Sequence, residues 1–153
     1  MFNMDSLIVF NKIFSNRIVD VCKDKKILLT LSGGMDTRAI LSVLYKHNIR
    51  FDVLTANTSK KDLVIAKKLV KNNVLVGNHF IWSDMGACVE DTKRFNDFIE
   101  NYDVVLHGLF MSGFFDKFKH VELSEKQLED YISSGFIVMG NRTVLRKVYH
   151  KYF

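Results

Sequence analysis

Residues 27–47 read Ile-Leu-Leu-Thr-Leu-Ser-Gly-Gly-Met-Asp-Thr-Arg-Ala-Ile-Leu-Ser-Val-Leu-Tyr-Lys-His, and this stretch decides the fold. Ile27 to Leu31 is a nearly unbroken apolar run, the pattern of a strand buried on both faces. From Asp36 to His47 the period changes. At about 100° per residue, Ala39, Ile40, Val43 and Leu44 share one face while Arg38, Ser42 and Lys46 line the other. Between the two periods stands Ser32-Gly33-Gly34. A buried strand, a glycine turn and an amphipathic helix form the opening unit of an α/β domain.

Outward from this unit the alternation continues. Residues 51–55 read as a second strand. Residues 60–72 read as a helix with Leu63, Ala66, Leu69 and Val70 inward and Lys60, Lys67, Lys68 and Lys71 outward. A third strand is expected at 79–82, a helix at 89–101 and a fourth strand at 103–107. After Gly108 come a helical stretch, a charged helix at 124–133, a short apolar run at 136–139 and a basic end. Upstream, residues 5–22 read as a helix with Asp5 or Ser6 near its N-cap.

Strand and helix at these spacings predict right-handed crossovers and a parallel sheet. The expected fold is a three-layer α/β sandwich with a mostly parallel sheet of about five strands, in one domain spanning 1–153. Its parts are an N-terminal helix (1–25), a core (26–120) and a C-terminal helical extension (121–153). Ligands of such sheets bind at the carboxyl ends of the strands, so the residues just after Leu31 are the ones to weigh.

Composition narrows the classes. The chain has 153 residues, 48% of them hydrophobic and 25% charged, the balance of an ordinary globular domain. No apolar run reaches the roughly 18 residues of a membrane span. The first residues carry Asp5 instead of a basic region, which argues against a secretory signal. Two cysteines, Cys22 and Cys88, make no disulfide framework, and a cytoplasmic location is expected. A formal charge of +5 favours polyanionic company, from a nucleotide phosphate to RNA.

The loop at 32–37 has the chemistry of an anion site. Consecutive glycines allow close approach of the backbone, the next helix offers its N-terminal amides, and Ser32 and Thr37 add hydroxyls. The plain alternative is a tight turn with Asp36 as a first-turn helix acid. Neither Gly-x-x-x-x-Gly-Lys-Ser/Thr nor Gly-x-Gly-x-x-Gly occurs there, which disfavours a kinase-like P-loop and a dinucleotide fold.

The run Ile27-Leu-Leu-Thr-Leu-Ser-Gly-Gly-Met-Asp-Thr-Arg38 resembles the PP-loop of the N-type ATP pyrophosphatases, Ser-Gly-Gly-x-Asp-Ser/Thr. Arg38 and the later Asp62-Leu-Val-Ile-Ala-Lys-Lys-Leu-Val70 look most like the asparagine synthetase-type ATP-binding domain. The likeness covers about the first two-thirds of the chain. It implies an adenine nucleotide alpha hydrolase-like fold, with ATP and Mg²⁺ as ligands and cleavage of ATP to AMP and pyrophosphate. The implied reaction adenylates an acid or carbonyl substrate, and a nitrogen nucleophile then displaces AMP.

Carried over residue by residue, the resemblance implies that Ser32, Gly33, Gly34 and Thr37 hold the pyrophosphate, with Arg38 and Gly108 beside them. Leu31, Thr55 and Ala56 would border the adenine. Asp36 would bind Mg²⁺ and serve catalysis. Arg142, in the basic end, would bring a cation to the phosphates or lie on a solvated helix face.

One motif departs from the family. Where Gly-x-Gly-Gly-Asp-Glu is usual, this chain has Gly108-Leu-Phe-Met-Ser-Gly-Phe-Phe-Asp116, with Ser112 in the acid's place. Asp116 either supplies the second metal carboxylate or is a solvated acid. Position 2 is Phe, so the reading expects free ammonia, an amine or a partner protein to provide the nucleophile. Two further readings follow: a degenerate nucleotide-binding or partner-docking module without catalysis, and an RNA-modifying enzyme. His79, His107, His120 and Cys88 lack paired metal-ligand spacing, although His107 ends the fourth strand on the ligand side. Phe110, Phe114, Phe115 and Phe118 are core or the face of a homodimer.

Overall fold

The computed structural model describes residues 4–57, 59–82, 89–108, 124, 126–127 and 137–139. Helices α1 (Met4–Cys22), α2 (Met35–Lys46), α3 (Lys60–Val70) and α4 (Val89–Ile99) alternate with strands β1 (Ile27–Thr30), β2 (Phe51–Ala56), β3 (Val76–Trp82) and β4 (Val104–Leu106). A further strand, β5 (Ile137–Met139), completes a sheet of order β3-β2-β1-β4-β5.

Four strands run parallel, and β5 pairs antiparallel with β4. The expected mostly parallel sheet of about five strands is thus four parallel strands with one reversed edge. The apolar run near the chain's end, expected inside a helical extension, supplies that edge. Three residues are too few to show a period of their own, so partner choice decides their state.

The sheet has an apolar layer on each face. Ile27, Leu29, Val53, Val104 and Leu106 pack with α1, α2 and α3, through Phe14, Ile18, Ile40, Leu44 and Ala66 among others. Leu28, Leu54 and Val105 point the other way and pack with Phe95 and Ile99 of α4, and with Tyr102. This arrangement is compatible with a three-layer sandwich. It also explains why Ile27–Leu31 shows no alternation: residues of both parities are buried. The outward lysines of α3, Lys60, Lys67 and Lys68, are exposed as the period predicts.

Chain order explains the placement of α4. The first two crossovers step outward from β1 to β2 to β3, and the third returns to the far side of β1. Crossovers of one hand put helices of opposite travel on opposite faces. The reversal lies between β1 and β4, so the crevice at their carboxyl ends is the topological switch point.

Asparagine and aspartate do the work that glycine does elsewhere. Asp24, Asn48 and Asn72 have φ of 55°, 53° and 59°, each two residues beyond a helix end. Asn tolerates the left-handed region because its short polar side chain bonds locally. After α2 the chain closes with Asn48 N–H on the Tyr45 carbonyl (3.2 Å) and Ile49 N–H on that of Leu44 (3.0 Å). The amino ends of the strands are held as firmly. Tyr102 Oη donates to Asp52 Oδ2 (2.8 Å), the Asn78 amide to Asp52 Oδ1 (2.7 Å), and the Lys26 amide to Asp103 Oδ2 (2.8 Å).

Candidate functional site

The loop Leu31–Gly34 leaves the central strand at the switch point. Leu31 is buried, and its amide extends the β1–β2 ladder by donating to the Leu54 carbonyl (2.8 Å). From there the chain must turn into α2 within three residues, and two hydroxyls hold that turn. Ser32 Oγ accepts from the Gly34 amide (3.1 Å) and lies 3.2 Å from Thr37 Oγ1. Thr37 Oγ1 accepts from the Ser32 amide (3.2 Å) and is directed at the carbonyls of Ser32 (3.1 Å) and Gly34 (3.3 Å). Arg38 Nε also donates to the Gly34 carbonyl (3.2 Å), although its side chain is exposed.

Gly34 is the N-cap of α2 and, having no side chain, brings no cap hydrogen bond. The helix therefore presents its first turn to whatever lies in front of it, with the positive end of its dipole. Asp36 is in that turn and is half-buried.

The close approach expected at these glycines is made at Gly33 by the chain itself. None of the described glycines has positive φ, so conformational freedom is not what Gly33 and Gly34 supply. Space is. A Cβ on Gly33 would come within 3.0 Å of Asp62 Cα and 3.1 Å of Ile65 Cδ1, so the loop passes directly against the start of α3. That start is fixed by Ser59, whose Oγ accepts from the Asp62 amide (3.3 Å). A Cβ on Gly34 would meet only Ser32 Oγ, at 3.2 Å.

The second wall comes from β4. Gly108 follows it closely, and a Cβ there would stand 2.7 Å from the Thr37 nitrogen and 2.8 Å from Asp36 Cβ. Thr30 Oγ1 donates to the Leu106 carbonyl (3.2 Å) and ties the ends of β1 and β4 together. The structure thus brings Leu31, Ser32, Gly33, Gly34, Asp36, Thr37 and Gly108 to one place. Thr55 and Ala56 end the neighbouring strand β2. Thr55 is 1% exposed, and its Oγ1 lies 2.9 Å from His79 Nε2. Burial, and secondarily Lys67, lowers the His79 pKa from its ordinary value, which favours the neutral ring. Asp116 and Arg142 lie outside the described residues, as do Ser112, Cys88 and the phenylalanines at 110–118.

Two residues of this region received no role from the sequence. Asp62, read only as the start of the stretch that resembles the asparagine synthetase-type domain, presses its carboxylate oxygen on the space beside Gly33. Its sequence signal is Ser59 with an acid three residues on, a helix N-terminus placed just after β2. His107, adjacent to Gly108, is 3% exposed, and neither ring nitrogen has a hydrogen-bond partner among the described residues. Burial lowers its pKa to about 4, so the ring is neutral near pH 7.

A separate open hollow, lined by Val19, Cys22, Lys23, Lys25 and Arg50, lies near the amino end of β1, away from this loop. Its charged groups, Asp20, Lys23, Asp24, Lys25, Lys26 and Arg50, are all exposed, without a buried polar group converging on one point. Cys22 is buried there, and burial pushes its thiol up to about 12, which keeps it protonated and inert. Among the described residues no helix is long and apolar enough to cross a membrane. No group of three or more His, Cys, Asp or Glu side chains suited to a metal occurs among them either. No family model matches the chain, and no curated protein matches it.

Proposed function

We propose that the chain is an ATP-binding domain of the PP-loop type, with the adenine nucleotide alpha hydrolase-like form of the three-layer sandwich. One observation carries this reading: Gly33 and Gly108 let α3 and β4 close on either side of an α2 N-terminus that bears no side-chain cap. Backbone amides at the end of a helix dipole, walled by close backbone and edged by Ser32 and Thr37, suit a polyphosphate. A helix end of this kind contributes about 0.3–2 kcal/mol toward an anion before any side chain is counted.

The residues also fit Mg²⁺. That ion keeps several waters and takes one or two carboxylates together with phosphate oxygens. Asp36, half-buried in the first turn of α2, is the carboxylate that would hold it. Bound Mg²⁺ would neutralise charge on the phosphates. The chain's own part is positioning: Ser32 and Thr37 shape the loop, and the α2 amides receive negative charge. Leu31, Thr55 and Ala56 end adjacent strands and would border the base. The proposed reaction, in the manner of asparagine synthetases, releases AMP and pyrophosphate while activating an acid for amidation. Ammonia, an amine or a partner protein would supply the nitrogen.

Ser112, at the family's acid position, favours a second reading in which the nucleotide is held without turnover. One experiment addresses both. Calorimetric titration with ATP and Mg²⁺ is expected to show binding that the Ser32→Ala, Asp36→Ala double variant loses. Unchanged affinity in that variant overturns the site. Incubation with α-labelled ATP and a panel of carboxylic acids then separates the readings: AMP release supports the ligase, and binding without release supports the silent module.

A further inference from the structure

β3 is the longest of the described strands, yet it stands at the edge of the sheet, paired with β2 on one side and with no described strand on the other. Trp82 directs its carbonyl inward, to the Asn57 amide (2.7 Å). Strand alternation therefore turns the N–H and C=O groups of His79 and Ile81 to the open side. Gly77, Asn78 and Ile81 are exposed along it. Natural sheets guard such an edge with a charge or a proline in the strand itself. Val76–Trp82 contains no Lys, Arg, Asp, Glu or Pro.

Cations stand on both faces of this edge. At about 100° per residue, Lys60, Val64 and Lys67 of α3, with Lys71 just beyond it, fall within about 60° of one another, and all four are exposed. Ala66 and Val70 turn to the core, while Asp62 and Ile65 approach Gly33. The lysine flank lies opposite the Gly33 side of the helix and so overhangs β3. His79 of β3 registers it: its pKa is lowered first by burial and then by the charge of Lys67. On the other face the Arg94 guanidinium sits 5.2 Å from the centre of the Trp82 ring. Asp62, the one acid of α3, is on the far side.

We infer that the open edge of β3, overhung by Lys60, Lys67 and Lys71, is the docking site of an acidic polypeptide segment that joins the sheet as a further strand. Main-chain groups at His79 and Ile81 supply the pairing, and carboxylates at alternate positions of the incoming strand face the lysines. A second copy of this chain does not suit the edge. Paired antiparallel about a two-fold axis, it would set two such helix flanks face to face, lysine against lysine. A phosphodiester backbone meets the lysines but brings no regular row of N–H donors for the outward carbonyls. The site is independent of the nucleotide-binding reading, which concerns the carboxyl end of β1.

The probe is a peptide of about ten residues alternating glutamate with valine, and its control replaces every glutamate by glutamine. The full chain is expected to bind the acidic peptide about tenfold more tightly than the control, with an affinity that falls as salt rises. Ile81→Pro removes an outward N–H where an edge strand tolerates proline, and is expected to weaken the acidic peptide about tenfold. Lys60→Gln, Lys67→Gln and Lys71→Gln combined are expected to erase the preference for glutamate. In the wild-type chain, the amides of His79 and Ile81 are expected to exchange more slowly with the acidic peptide bound, a readout that survives if Ile81→Pro fails to fold. No binding, equal affinity for the two peptides, or unchanged exchange at those amides overturns the inference. Self-association of the wild-type chain that Ile81→Pro abolishes also overturns it, because the edge then belongs to a second copy. So does a single-stranded RNA oligomer that displaces the peptide and binds Ile81→Pro as well as wild type, since the lysines alone then account for the binding.

Discussion

Gly108 and Thr37 meet backbone to backbone: any side chain on Gly108 would place its first carbon 2.7 Å from the Thr37 nitrogen. Real Cβ atoms do not come that close, so this single contact sets how near β4's end can stand to the α2 helix. Gly108→Ala is expected to push the two apart, at a cost of about 1–3 kcal/mol for overpacking. Urea unfolding measures the loss, and calorimetry with Mg²⁺–ATP is expected to show weaker binding than in wild type.

Thr37 organises the loop with one oxygen. Thr37→Val keeps the shape and removes the acceptor of the Ser32 amide, along with the donor to the Ser32 and Gly34 carbonyls. Leaving a partly buried amide unpaired costs about 1–3 kcal/mol. Thr37→Ser retains the hydroxyl and is expected to stay within about 1 kcal/mol of wild type by chemical denaturation.

Acid is expected to destabilise the fold through His107. Its pKa falls from 6.5 to about 4 on folding because burial penalises the charged ring. Between those values the unfolded chain binds more protons than the folded one, so stability falls as pH drops from about 6.5 to about 4. Each tenfold change in proton affinity is worth about 1.4 kcal/mol, so the group's full loss is about 3 kcal/mol. His107→Phe is expected to flatten this segment of the stability–pH curve, measured by denaturation at a series of pH values.

The left-handed turn after α2 gives an independent check on the fold. Asn48 has φ of 53°, so Asn48→Ala is expected to cost about 1 kcal/mol, while Asn48→Gly is neutral or slightly favourable. The melting temperature is therefore expected to fall in Asn48→Ala and to hold or rise in Asn48→Gly. Equal losses in both would mean that the side chain, and not the backbone angle, matters there.

Periodicity made most of this architecture readable. The change of period between Leu31 and Asp36 located β1 and α2, and the later apolar runs located β2 and β4 to within a residue or two. What escaped depends on contacts across the chain. The sequence pattern showed that Gly33 stands in a turn, but its true constraint is the approach of Asp62, which no local window contains. β3 begins at Val76, three residues before the expected start, because pairing with β2 recruits residues whose own pattern is weak. His107 was visible as a strand-end histidine. Its lack of partners became visible only when both sides of the sheet were filled.

The carboxylate of Asp52 gathers Tyr102 and the Asn78 amide, and Asp103 receives Lys26, all at the foot of the strands. None of those bonds touches the rim around Ser32 and Thr37. The molecule consequently divides its labour along the strand axis. A foundation keeps the ribbons aligned whatever the ligand does, so hydroxyls at the opposite end can exchange partners without loosening the whole.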